Sequence, residues 1–119
     1  LKNSDFPCSS GLQYRDFLYV DDAIEGILKC IQTKDLKGEI INIGSGKPKK
    51  IKNIINLINN KIKMGRPIFG KIKMRRDEIK SLYPDIKKAN KKFKWFPKVQ
   101  FNKGIDNTID YYKKHLKYI

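Results

Sequence analysis

Apolar residues recur at helical spacing in three stretches of the chain. Over residues 23–32, Ile24, Ile27, Leu28 and Ile31 fall three and four apart and share one face, which predicts a helix. Phe17, Tyr19 and their neighbours mark a short extended segment running into it, and Asp22 is placed to accept hydrogen bonds from the open N–H groups of its first turn. Over residues 51–62, Ile51, Ile54, Ile55, Ile58 and Ile62 line one side, and Lys52, Asn53, Asn56 and Asn59 line the other. Gly65-Arg66-Pro67 ends that second helix. A third stripe of Ile105, Ile109, Tyr112 and Leu116 predicts a terminal helix, with Asn102 as its cap.

The stretches between are shorter and read less clearly. Residues 1–13 carry Pro7, serines and Gly11 and read as a loop; residues 33–38 form a polar turn. The β-branched run at 39–43 stops at Gly44 and predicts a compact strand. Residues 68–74 alternate loosely and predict another, with Lys71 and Lys73 facing solvent. Pro84 and Asp85 open a short helix through Phe93, with Asp85 capping, and Trp95-Phe96-Pro97 closes it with an apolar clasp.

Composition bounds the partners. The 119 residues suit one domain or a piece of a larger one, and 39% hydrophobic content supports a modest core. Lys and Arg outnumber Asp and Glu by 27 to 12, a formal net charge of +15 that would attract nucleic acid or an anionic surface. Lysine runs such as Lys87-Lys88 and Lys91-Lys92 favour a small basic nucleic-acid-binding module as the rival reading. The lysines are spread over nearly every element instead of one face, so nucleic acid is disfavoured. No apolar run approaches the ~18 residues of a membrane span, and Cys8 and Cys30 make no disulfide framework. Cys30 reads as a small apolar residue, Cys8 as a free thiol, and a reducing cytoplasm is the expected location. Leu1-Lys2-Asn3-Ser4-Asp5 reads like the interior of a longer chain.

Candidate chemistry is sparse for catalysis and better for binding. His115, the only histidine, lies on a lysine-rich terminal helix, and no Cys, His, Asp and Glu cluster has metal-ligand spacing. Tyr83 and Lys87 have the spacing of a Tyr-x-x-x-Lys pair, but Pro84 breaks the helix that would align them. Gly44-Ser45-Gly46 falls short of a dinucleotide fingerprint, because Lys49 stands where the third glycine belongs. It reads as a structural turn before it reads as a phosphate contact. Arg15 heads the extended segment Arg15-Asp16-Phe17-Leu18-Tyr19-Val20-Asp21-Asp22, where a guanidinium can grip a phosphate with two parallel hydrogen bonds.

Read in order, that segment is followed by Asn42-Ile43-Gly44-Ser45-Gly46, Arg75-Arg76-Asp77-Glu78, Tyr83-Pro84-Asp85-Ile86-Lys87-Lys88-Ala89 and Phe93-Lys94-Trp95-Phe96-Pro97. The series resembles the C-terminal third of the nucleotide-sugar epimerases and dehydratases, the extended branch of the short-chain dehydrogenase/reductase superfamily. The resemblance runs from Gly11 to about Tyr112. It implies an α/β or α+β fragment, residues 1–119, that forms the C-terminal substrate-binding portion of an NAD(P)-binding, doubly wound protein, without the N-terminal dinucleotide-binding segment. The parent would use NAD or NADP to oxidise or reduce a sugar at C4, with its Tyr-x-x-x-Lys pair upstream; this portion would hold the sugar nucleotide, bind no cofactor and carry no catalytic residue. The upstream dinucleotide-binding domain and a second copy of the parent are the implied protein partners.

By the same resemblance, Arg15 and Arg75 contact the diphosphate and ribose region of the ligand. One residue of slippage would exchange Arg75 and Arg76, and alternation along a strand would turn only one of that pair toward the ligand. Two positions depart from the family pattern. Asp77-Glu78 replaces a frequent Gly-Asp, and Lys50 stands at the start of the second helix, where Ser, Thr or Asn is frequent.

Overall fold

The computed structural model describes residues 4–115 and contains four helices and five very short strands among them. The backbone forms two compact units that alternate along the sequence. One joins the N-terminal segment through Arg15 to Pro48–Leu82; the other joins Asp16–Lys47 to the segment from Tyr83 onward.

In the first unit, β1 (Asp5–Pro7) runs parallel to β4 (Arg66–Ile68). Arg66 clasps Asp5 across this pair with a two-pronged contact, Nε to Oδ1 at 2.9 Å and Nη2 to Oδ2 at 2.8 Å. A second sheet has β2 (Tyr14–Arg15) at its centre, antiparallel to β3 (Lys49–Lys50) and parallel to β5 (Ser81–Leu82). Helix α2 (Ile51–Ile62) follows β3 directly, and its predicted apolar stripe is buried or half-buried throughout. Lys50 cannot cap it. Backbone carbonyls do the work instead: Ile51 N–H donates to Gln13 O and Lys52 N–H to Gly11 O. The helix ends at Lys63, which turns left-handed at φ 55°.

The second unit is organised on Trp95, which with Ala89 and Phe93 forms the buried core; Leu18, Cys30, Leu36, Ile41 and Ile43 pack against it. Helix α1 (Val20–Gln32) meets this core on the side carrying Asp22, Gly26 and Cys30, one turn apart. A methyl group on Gly26 would stand 3.0 Å from Ile43 and 3.1 Å from Trp95, so glycine sets how close the helix lies. The isoleucine stripe that predicted this helix faces outward: Ile24, Ile27 and Leu28 are about half exposed, and Ile31 is 75% exposed. Helices α3 (Lys87–Phe93) and α4 (Phe101–His115) complete the unit, with Phe101 edge-on to Phe17 at 6.1 Å between ring centres.

Several expectations change. Residues 1–13 are not all loop, because Asp5–Pro7 pairs with Arg66–Ile68. That pairing also moves the strand expected at 68–74 to Arg66–Ile68, and the residues beyond it are irregular. Residues 39–43 form no strand: the run finds no ladder partner among the described residues, and β-branched residues alone do not make one. Its alternation survives, with Ile41 and Ile43 packed inward and Ile40 exposed. Helix α1 begins at Val20, three residues early, and Asp22 lies inside its first turn, where it makes no cap. The last helix likewise begins at Phe101, with Asn102 within it. The short helix begins at Lys87 with Ile86 at its N-cap, so Asp85 stands one residue outside it, where its Oδ1 accepts the Lys87 N–H at 2.9 Å. Leu1, Lys2, Asn3 and Leu116 lie outside the described residues.

Candidate functional site

Arg15 sits on the central strand of the three-stranded sheet, half-buried, one residue before the chain passes into the second unit. Three acceptors surround it. Nη1 donates to the carbonyls of Tyr14 at 2.7 Å and Ile79 at 2.8 Å, and Nη2 forms an ion pair with Glu78. Arg75 and Arg76 are exposed in the segment just upstream, and the Glu78 N–H reaches back to the Arg75 carbonyl at 3.4 Å. The fold thus fastens the strand bearing Arg15 to the segment bearing the other two arginines. Arg75 and Arg76 do not lie on a strand, and Arg76 enters a turn with Asp77. With no strand at these residues, side-chain alternation does not choose between them.

The Gly44-Ser45-Gly46 turn belongs to Asp16. The Asp16 carboxylate accepts the Ser45 N–H at 2.8 Å, the Gly46 N–H at 3.1 Å and the Ser45 hydroxyl. These are the donors a phosphate would need, and they are spent within the protein. A side chain on Gly44 would collide with Pro84 and with Asp16, so the turn closes only around glycine. The turn does not fit a dinucleotide pyrophosphate.

A second carboxylate ties the same unit together. Asp22 is 3% exposed and accepts the N–H groups of Lys98 at 3.1 Å and Val99 at 2.9 Å, while its backbone carbonyl accepts the Trp95 indole N–H at 3.1 Å. Sequence reading missed Asp16 and Glu78 and misplaced Asp22. Their partners are 29 to 77 positions away, and a local pattern carries no trace of such distances. For Glu78 there was one signal, the departure from the usual Gly-Asp.

Around these sites, lysines are paired with acids at the surface. Lys92 and Lys88 hold the Glu39 carboxyl below its ordinary range, Lys92 by the stronger hydrogen bond. Arg66 does the same to Asp5. Among the described residues no group of His, Cys, Asp and Glu could hold a metal ion, and no helix is long and apolar enough to cross a membrane.

Comparison with known proteins fixes the class. UDP-glucuronate 4-epimerase of Thermodesulfobacterium geofontis is 32% identical over 111 residues, which cover 92% of this chain and 33% of that enzyme. The crystal structure of UDP-glucuronic acid 4-epimerase from Bacillus cereus, in complex with UDP-4-deoxy-4-fluoro-glucuronic acid and NAD, superposes with a TM-score of 0.79 at 32% identity, over 93% of this chain and 36% of that one. UDP-glucose 4-epimerase of Thermotoga maritima, solved with UDP-glucose, gives 0.83 at 26% identity, over 95% and 36%. The chain therefore spans about a third of the length of the relatives it matches. Fold and sequence define an α/β fragment of the nucleotide-sugar epimerases and dehydratases, within the short-chain dehydrogenase/reductases. The chain belongs to the GDP-mannose 4,6 dehydratase family, whose model matches residues 2–108.

Proposed function

We infer that this chain is the C-terminal, substrate-holding portion of an NAD(P)-dependent nucleotide-sugar epimerase, dehydratase or reductase of the cytoplasm, and that it grips the nucleoside diphosphate of the sugar nucleotide. Arg15 and Arg75 are the phosphate ligands, with Arg76 beside them. The observation that carries this reading is the junction at Glu78, which links the Arg15 strand to the segment bearing Arg75 and Arg76 within one compact unit. Planar guanidinium groups suit this task, since each can present two parallel donors to phosphate oxygens. The upstream dinucleotide-binding domain supplies the cofactor site and the catalytic residues; this chain alone catalyses nothing.

Calorimetric titration of the 119-residue chain with UDP-glucose and, separately, with NAD tests the division of labour. The reading expects saturable binding of the sugar nucleotide and none of NAD. Stoichiometric NAD binding at micromolar concentration would overturn it.

A further inference from the structure

A carboxylate beside a cation that receives phosphate has two opposing effects. It cancels part of the charge, which weakens attraction for an anion. It also holds a long, flexible side chain in one orientation, which removes an ordering cost from binding. The geometry around Arg15 separates these effects. Glu78 engages a single guanidinium nitrogen, Nη2, while the carbonyls of Tyr14 and Ile79 occupy both N–H groups of Nη1. The Nε–H and the second Nη2 N–H have no partner among the described residues, which leaves two donors for a two-point contact. Arg66 in the same unit is held differently, with Asp5 taking its Nε and Nη2 together. Glu78 and Arg15 are also sheltered, with side chains 22% and 26% exposed, whereas Arg66 is 72% exposed.

We propose that Glu78 is a positioning residue for Arg15, fixing the guanidinium so that its two remaining donors meet the diphosphate of a sugar nucleotide. This rests on the reading that Arg15 binds that diphosphate. The backbone bond from Glu78 to Arg75 gives the same residue hold of the neighbouring arginine segment. Asp77-Glu78, a departure from the family pattern, acquires a purpose here. The longer side chain of Glu78 reaches back to the strand.

The test is a double-mutant cycle read by UDP titration calorimetry, with Glu78→Ala, Arg15→Ala and the double variant in the same chain, and NMR of the Arg15 Nε–H signal. Glu78→Ala should weaken UDP binding about three- to tenfold when Arg15 is present. It should have no effect in the Arg15→Ala background. Its Arg15 Nε–H signal should broaden without UDP, and Glu78→Gln, which keeps an acceptor and the fold, should restore most of the affinity. Tighter binding by Glu78→Ala would overturn the proposal and make the carboxylate a competitor of phosphate. Equal losses in both backgrounds would overturn it too, because Glu78 would then act on ligand or fold without Arg15. Wild-type binding that is absent, or indifferent to Arg15→Ala, would overturn the functional reading and this proposal with it.

Discussion

Replacing Asp22 with alanine should unfold the second unit more readily than any surface change nearby. The carboxylate is almost fully buried and accepts two backbone N–H groups, from Lys98 and Val99. Hydrogen bonds to a charged acceptor contribute roughly 1.5–3 kcal/mol each. Alanine removes both and leaves the two donors without an acceptor, so the loss should be about 3 kcal/mol or more. A domain of this size has about 5–15 kcal/mol in total. With a urea dependence of about 1–3 kcal/mol per molar, the midpoint should fall by about 1 M or more. Trp95 is the assay, being the only tryptophan, 1% exposed and hydrogen-bonded to the Asp22 carbonyl. Asp22→Asn keeps one acceptor and should lose about half as much. Asp21→Ala is the control, since that exposed first-turn acid contributes less than about 1 kcal/mol through the helix dipole. An Asp22→Ala midpoint equal to that of Asp21→Ala would refute the reasoning.

Two further outcomes concern the surface. The outward stripe of Ile24, Ile27, Leu28 and Ile31 should drive self-association of the chain, seen as a molar mass that rises with concentration in light scattering, and Ile27→Lys with Ile31→Lys should abolish it; a wild-type mass independent of concentration would contradict this. Glu39, its carboxyl lowered by Lys92 and then Lys88, stabilises the fold above its ordinary value of 4.5, and that contribution is lost as pH falls through the depressed native value. The gap in urea midpoint between wild type and Glu39→Gln should therefore close as pH falls from above 4.5 to below the depressed native value, and a constant gap would remove Glu39 from the acid response.

What the sequence disclosed depended on the range of each interaction. Helix α2 was legible to the residue, because its stripe is also its buried face. Helix α1 was legible as a helix, yet the side by which it docks, Asp22, Gly26 and Cys30, was not. Strands of two and three residues leave almost no periodicity, so β1, β3 and β5 went unseen and the run at 39–43 was mistaken for a strand. Arg15 and the segment of Arg75 and Arg76 were singled out by the family resemblance, and they lie in one unit of the structure. The carboxylates that organise these sites, Asp16, Asp22 and Glu78, act across long loops, where only the folded chain shows which donors they meet.

The most direct test of the central claim is the affinity of the full-length parent protein for UDP-glucose, measured by calorimetry across an alanine panel. Arg15→Ala and Arg75→Ala should each cost roughly 1.5–3 kcal/mol, about one to two decades in Kd, by removing a charge-assisted contact to phosphate. NAD affinity should not change. Arg15→Lys should recover only part of the loss, because an ammonium keeps the charge without the fork. Lys113→Ala, on the last turn of α4, should be nearly silent. Equal small losses at Arg15, Arg75 and Lys113 would contradict the account, leaving a diffuse positive field and no clamp.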